Sequence, residues 1–227
     1  MFNSIKKLLT PSALKSLQNI RYELYLARIR LQNQVIPSNV VLRRGLGREN
    51  NVKLHWGCGS RRLDGWINID GWQSSATDYV HDLRTELPFK NESVELIFTE
   101  HVLEHIELNI AHRVLVDFFR IMEPGGRLRI VVPGLRQCCD AYSKGSLEWF
   151  HKVDDVVDSV GHGFNRIFYN HFHRYIYDFE TLAIVLKKAG FKKVFESAHM
   201  ASVDERLRLD TDHESRRLVS LYVEAVK

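Results

Sequence analysis

Hydrophobic positions in this 227-residue chain change their spacing several times, and each change marks an element. Val52, Leu54 and Trp56 alternate with Lys53 and His55, which is the period of a strand, before Gly57 and Gly59 break it. A second strand is expected at Trp66-Ile67-Asn68-Ile69-Asp70, a third at Asp78-Tyr79-Val80-His81 and a strong fourth at Val94-Glu95-Leu96-Ile97-Phe98-Thr99. Helical spacing follows, with Asn109 as candidate cap and Val114, Leu115, Phe118 and Met122 on one face. Glu123-Pro124-Gly125-Gly126 stops that helix, and Leu128 to Val132 forms a fifth strand closed by Pro133. Asp178 caps a helix carrying Leu182, Val185 and Leu186 that ends at Gly190. Strands at Lys193-Val194-Phe195 and at Val219 to Val226 complete the series. Strands alternating with helices predict an α/β fold, a Rossmann-like doubly wound parallel sheet. No internal repeat or low-complexity tract interrupts it.

Two stretches stand outside this rhythm. Thr10-Pro11 reads as an N-cap followed by proline at the first helical position. Leu14, Leu17, Leu24, Ala27 and Leu31 then recur at helical spacing to about residue 34. Pro37 to Asn51 reads as a linker, so residues 1–48 form an extension and 49–227 the domain. The second stretch, 134–177, is too long for a strand-to-helix connection and rich in His, Tyr and Phe. Ligands of a doubly wound sheet sit at the C-terminal strand ends, so an insertion there is placed to be a substrate lid or wall. The plain alternative is a structural subdomain.

Charge sharpens the division. Residues 1–48 hold nine Lys and Arg against the single acid Glu23, a net +8 that leaves −4 for the remainder of the +4 chain. The basic extension therefore points to an acidic partner. As a basic amphipathic helix, residues 1–34 would make peripheral contact with an anionic membrane; alternatively the apolar stripe packs on the domain or on another copy. The acidic remainder argues against a nucleic-acid partner, which would need a basic face near the site. Cys58, Cys138 and Cys139 imply no disulfide framework. Thr10-Pro11 cuts short the apolar run at Leu8-Leu9, and no apolar run spans a bilayer. The expected location is cytoplasmic, at the inner face of the membrane if the helix is an anchor.

Candidate chemistry collects at successive strand ends. The Gly57-Cys58-Gly59 loop lets backbone approach a ligand closely. Asp70, ending the second strand, can accept both hydroxyls of a ribose. Asp82, ending the third, can accept from an adenine amino group while Leu83 packs the ring. Each acid alone reads as a solvated loop residue; in this order they describe an adenosine-shaped site. Arg62 occupies the third-glycine position of a dinucleotide fingerprint, and Asp70 follows too early for an intervening helix. No Gly-Lys-Ser/Thr of a phosphate loop is present, so a ligand without phosphates fits better.

In these features the chain resembles class I S-adenosylmethionine-dependent methyltransferases, in particular their type-11 group. The resemblance rests on Leu54-His55-Trp56-Gly57-Cys58-Gly59, Asn68-Ile69-Asp70, His81-Asp82-Leu83, Leu87-Pro88-Phe89, His101-Val102-Leu103-Glu104-His105, Glu123-Pro124-Gly125-Gly126 with Leu128-Arg129-Ile130, and Ala189-Gly190-Phe191. It implies a seven-stranded sheet with an antiparallel last strand, and S-adenosylmethionine as cofactor. It also implies a cofactor site of His55, Trp56, Gly57, Cys58 and Gly59 at the methionine part, Asp70 at the ribose, Asp82 and Leu83 at the adenine, and Thr99, Glu100 and His101 at the sulfonium. The chain departs from the family at His55, where an acid is usual, and at Arg61, which replaces the third loop glycine. Versions resembling this one are associated with polysaccharide or other glycan assembly, which makes a sugar hydroxyl the expected acceptor.

Methyl transfer to a hydroxyl is helped by a base of near-neutral pKa, which points to histidine. His101 is the first candidate and His171 and His173 in the insertion are the next; each could instead simply pack. His101-Val102-Leu103-Glu104-His105 also matches an inverted zinc-protease motif. No third ligand is evident in the sequence, so no metal centre is expected. A non-catalytic binding module on the same fold is the reading from another class, supported by the missing acid at His55.

Overall fold

The computed structural model describes residues 10–169 and 172–227, so His171 and the Leu8-Leu9 run lie outside the described residues. In chain order the elements are α1 (Pro11–Val35), α2 (Pro37–Leu46), β1 (Val52–Trp56), β2 (Ile67–Asp70), β3 (Tyr79–Val80), β4 (Val94–Glu100), α3 (Leu108–Ile121), β5 (Met122–Pro133), α4 (Leu135–Ser143), α5 (Leu147–Val153), α6 (Val160–Tyr169), α7 (Phe179–Ala189), β6 (Lys193–Ser197), α8 (Glu214–Val219) and β7 (Ser220–Val226). The seven strands form one sheet in the order β3-β2-β1-β4-β5-β7-β6. Strands β1 to β5 are parallel, and β7 runs antiparallel to both β5 and β6. The order reverses beside β1, which is the switch point where doubly wound sheets bind ligands.

β4 shows why its sequence is a continuous apolar run. Ile97 packs with Leu54, Trp56, Ile69, Phe118 and Leu128 on the face covered by α3 and α7. Leu96 and Phe98 point the other way, toward Leu63, Trp66, Leu207 and Tyr222. A strand buried on both faces has no polar side to alternate with. The insertion 134–177 contains α4, α5 and α6 around a small core of its own, with Cys138, Phe150, Val157, Ile167 and Ile176.

The N-terminal extension corrects the sequence reading twice. Pro37 to Leu46 is helix α2, not a linker; Ile36 is extended at φ −77°, ψ 120°, as a residue before proline prefers, and this separates the helices. α1 does pack on the domain, but not through its apolar stripe. Leu17, Leu24 and Leu31 are 44%, 65% and 59% exposed, whereas Leu26 is 1% exposed. The docked face is aromatic and polar. Tyr25 stacks on Trp72 with centroids 4.3 Å apart and planes 13° from parallel. Arg84 grips Glu23 with Nη1 and Nη2 at 2.7 and 2.9 Å, and Asn33 Nδ2 donates to the Val80 carbonyl at 2.9 Å. Amphipathic spacing locates an apolar stripe but cannot show that polar residues make the dock.

Two outcomes follow. Leu26→Ala empties the most buried aliphatic position among the described side chains of α1, a loss of ~2–5 kcal/mol. Limited trypsinolysis should then cut at Arg21, Arg28 or Arg30 markedly faster, while the main thermal transition keeps its shape. His55 and His81 are buried, and burial holds both imidazoles below their ordinary pKa. The unfolded chain takes up protons below about pH 6.5 that these two refuse, so their contribution is present above that pH and is lost as pH falls. Melting temperature should drop between pH 7.5 and 5.5, and His81→Gln should flatten the drop.

Candidate active site

The loop after β1 is shaped by a close contact. Gly57 has φ +78°, and a Cβ there would lie 2.3 Å from Val102 Cγ2. Val102 is β-branched and stiff, so it cannot give way cheaply. The Gly57 and Cys58 amides both donate to the Ile69 carbonyl, at 2.8 and 3.1 Å, which pins the loop to the end of β2. Gly59 also has positive φ, +55°, but a Cβ there would meet open space. Its amide donates to Asp70 Oδ2 at 2.7 Å, and Asp70 Oδ1 accepts from the Trp72 amide at 2.9 Å. A partly exposed carboxylate thus stands beside an open glycine backbone, with acceptor capacity left on both oxygens. These residues fit an adenosine ligand at its ribose.

The rest of the predicted cofactor set is more divided. Trp56 is fully buried and meets Phe118 edge-on at 5.2 Å, so only its backbone borders the loop. Cys58 is buried, which pushes its thiol pKa up. Thr99 is 1% exposed, and Leu83 packs against the main core. His55 is buried with Nδ1 3.0 Å from Asn68 Oδ1. Asn68 Oδ1 also accepts from the Leu63 amide, so it is the acceptor and His55 Nδ1 the donor. Glu100 is held by Thr211, whose Oγ1 donates at 2.6 Å, and by Arg61 at 3.3 Å. Arg61 also donates to the Leu209 carbonyl at 2.5 Å, so it ties the loop to the 209–211 segment. Nothing in the sequence signals Thr211 as a partner 111 residues away.

Asp82 is the clearest departure from expectation. It is 1% exposed, and Arg30 of α1 donates to its Oδ2. Arg84 donates to Oδ1 from its amide at 3.1 Å and from Nε at 3.0 Å. Burial raises the pKa of this carboxyl, but the hydrogen bonds from Arg84 and Arg30 outweigh it and hold it below the ordinary range. The acid expected at the adenine end is therefore engaged by two guanidinium groups.

The turn after β4 gathers the histidines. His101 has φ +53°, a strained conformation for a non-glycine residue. Both its ring nitrogens have neighbours: Nε2 is 2.8 Å from Ser220 Oγ, and Nδ1 is 3.3 Å from Glu104 Oε1. A short 3-10 turn, Leu103–His105, follows. The backbone carbonyl of Glu104 accepts from Arg174 and Tyr175 amides at 2.7 and 3.1 Å. That pairing lays the returning end of the insertion on the turn and brings His173 against His105, ring centroids 5.0 Å apart. The insertion does border the strand ends, and it supplies a third histidine that sequence spacing could not connect to the other two.

Residues 54–130, about a third of the chain, match the methyltransferase domain family model. No curated protein matches the chain. Among solved structures, a SAM-dependent methyltransferase from Archaeoglobus fulgidus is similar at 15% identity and a TM-score of 0.49, over 91% of this chain and 99% of that one. A SAM-dependent methyltransferase from Methanosarcina mazei is similar at 14% identity and a TM-score of 0.49, over 81% and 95%. The phosphoethanolamine N-methyltransferase 2 of Haemonchus contortus, solved with S-adenosyl-L-methionine, is similar at 16% identity and a TM-score of 0.47, over 84% and 52%. The strand-end loop, Asp70, Asp82 and the turn after β4 fall inside the matched segment, whereas Arg30, His173, Thr211 and Ser220 lie outside it.

Proposed function

We propose that this protein is an S-adenosylmethionine-dependent methyltransferase whose acceptor is a hydroxyl of a small molecule or glycan intermediate. The observation that carries the reading is the Gly59–Asp70 pairing at 2.7 Å, a carboxylate locked beside open glycine backbone at the sheet's switch point. When bound, S-adenosylmethionine supplies a methyl group on a sulfonium, a leaving group good enough that alignment and exclusion of water are the main demands on the protein. Asp70 holds the two ribose hydroxyls. The Gly57–Val102 contact fixes where the loop backbone runs, and the insertion walls the acceptor side through its pairing with Glu104. Help in deprotonating a hydroxyl falls to the turn after β4, where the His105 side chain is 36% exposed.

Adenosylhomocysteine at about 100 times its dissociation constant should stabilise the chain by ~2.7 kcal/mol, read as a rise of several degrees in melting temperature. Asp70→Ala removes a charged acceptor worth ~1.5–3 kcal/mol, so binding should weaken about ten- to a hundredfold. A wild-type chain that gives no shift would sink the reading. A shift without methyl transfer to any hydroxyl acceptor would favour a non-catalytic binding module.

The exposed stripe of α1 supports peripheral contact with an anionic membrane on the cytoplasmic side. Leu17, Ile20, Leu24 and Leu31 stand on the surface of a helix that also bears Lys15, Arg21 and Arg28. Leu24→Asp with Leu31→Asp should abolish sedimentation with phosphatidylserine vesicles and leave adenosylhomocysteine binding unchanged. Undiminished sedimentation refutes the contact.

A further inference from the structure

The turn after β4 holds more ligating groups than methyl transfer requires. Glu104 is 0% exposed; the His101 imidazole stands 3.3 Å from Oε1, and Oε2 accepts no hydrogen bond from a described residue. A fully buried carboxylate with so few donors is costly and calls for a partner of opposite charge. Its surroundings are imidazoles. His101 Nδ1 and His105 Nε2 lie 3.3 and 3.7 Å from the same oxygen, Oε1. One ligating atom from each of Glu104, His105 and His173 falls within 4.8 Å of the other two.

Orientation of His173 adds to this. Its Nδ1 is 2.5 Å from the Ile167 carbonyl, so Nδ1 carries the proton and Nε2 the lone pair. A ring N–H given to a backbone carbonyl is the usual way a metal-binding histidine is oriented. The three groups come from two segments, the 3-10 turn and the end of the insertion, joined by the Arg174 and Tyr175 amides on the Glu104 carbonyl. Ligand atoms around a tetrahedral ion at ~2.0–2.1 Å stand about 3.3 Å apart, so the cluster, whose ligating atoms lie within 4.8 Å, must tighten by up to about 1.5 Å. His105, on the open side, has the freedom to do this.

We propose that Glu104, His105 and His173 bind a divalent first-row transition-metal ion, which takes the acceptor's oxygen as a further ligand. A carboxylate with two imidazoles is the donor set of catalytic zinc sites and leaves coordination positions open. This divides the roles differently from the zinc-protease motif, in which the two histidines ligate and the glutamate is the base. Here His101 is turned to Ser220, and the buried Glu104 is the ligand. A hydroxyl oxygen on such an ion loses its proton more readily, the proton leaving to water on the open side at His105. Only the acceptor part rests on the methyltransferase reading; the ion site stands on its own geometry.

The test uses the full chain stripped with a chelator and titrated calorimetrically with zinc and, separately, with manganese. Uptake of about one ion per chain and a higher melting temperature are expected. Glu104→Gln should abolish uptake, and His105→Ala and His173→Ala should each weaken it about tenfold or more, with unchanged circular dichroism. If Glu104→Gln does not fold, the two histidine variants decide. A wild-type chain that takes up neither ion more tightly than the His105→Ala/His173→Ala double variant overturns the site. Adenosylhomocysteine binding to the stripped chain is measured in parallel: binding with no metal uptake overturns this proposal alone, whereas uptake with no such binding supports the ion site and overturns the methyltransferase reading.

Discussion

Gly57 and Val102 cannot move apart without undoing the site. The end of β1 turns with φ +78° directly against a β-branched side chain, at a separation where no Cβ fits. Val102 is held there because the His101 amide donates to the Val131 carbonyl of β5 at 2.8 Å, and His101 accepts φ +53° to make the turn. Backbone strain of this kind persists only where the surroundings over-determine it. One step further, the same turn drives Glu104 inward and leaves its carbonyl to take the two amides of the insertion. A contact between two strand ends therefore sets the loop backbone, the histidine cluster and the position of the wall together.

Charged residues complete the frame around the loop. Arg61 joins the loop to Glu100 and to the Leu209 carbonyl. Behind it Arg129, fully buried in β5, pairs with Asp210 through Nε at 2.7 Å and with Glu224 of β7 at 2.7 Å. Burying three charges brings little net stability, since desolvation offsets most of the attraction, but losing one partner would cost ~3–5 kcal/mol. The arrangement acts as a positional constraint. It fixes the segment around residue 210 so that Thr211 meets Glu100, and Glu100 is then a structural acceptor before it can be anything else.

The sheet was legible because each strand announces itself locally: period two in β1, an apolar run in β4, and the Leu128–Val132 run of β5, although the structure starts β5 at Met122 and takes in the Pro124-Gly125-Gly126 stretch read as a helix stop. Asp70 was legible for the same reason, as an acid at a strand end. What stayed hidden depended on contacts across long sequence distances. His173 meets His105 only because two backbone amides of the insertion pair with Glu104, and no periodicity encodes that. The docking face of α1 was hidden by a physical ambiguity. A stripe of leucines reads as the buried side of a helix, yet Glu23, Tyr25 and Arg30 make the contact. The brief helix α2 was hidden by its own composition, since Pro37, Gly45 and Gly47 resemble loop punctuation although Pro37 stands at a first helical position.

That dock bears on the ligand end of the sheet. A carboxylate offers about four lone-pair positions. Those of Asp82 are filled by Arg30 and by three donors of Arg84, the last at 3.3 Å. An adenine amino group would bring a neutral donor to this carboxylate, whereas in the Arg30 contact both partners are charged. Such a group cannot displace the guanidinium of Arg30 on the strength of its own hydrogen bond. Either the adenine edge is met by backbone around Leu83, with Asp82 acting only as the anchor of α1, or α1 must shift for Asp82 to be reached. In the second case ligand binding and helix docking share one carboxylate, and by linkage each weakens the other to the same degree. Arg84, which also holds Glu23 of the helix, would keep α1 tethered while Arg30 lets go.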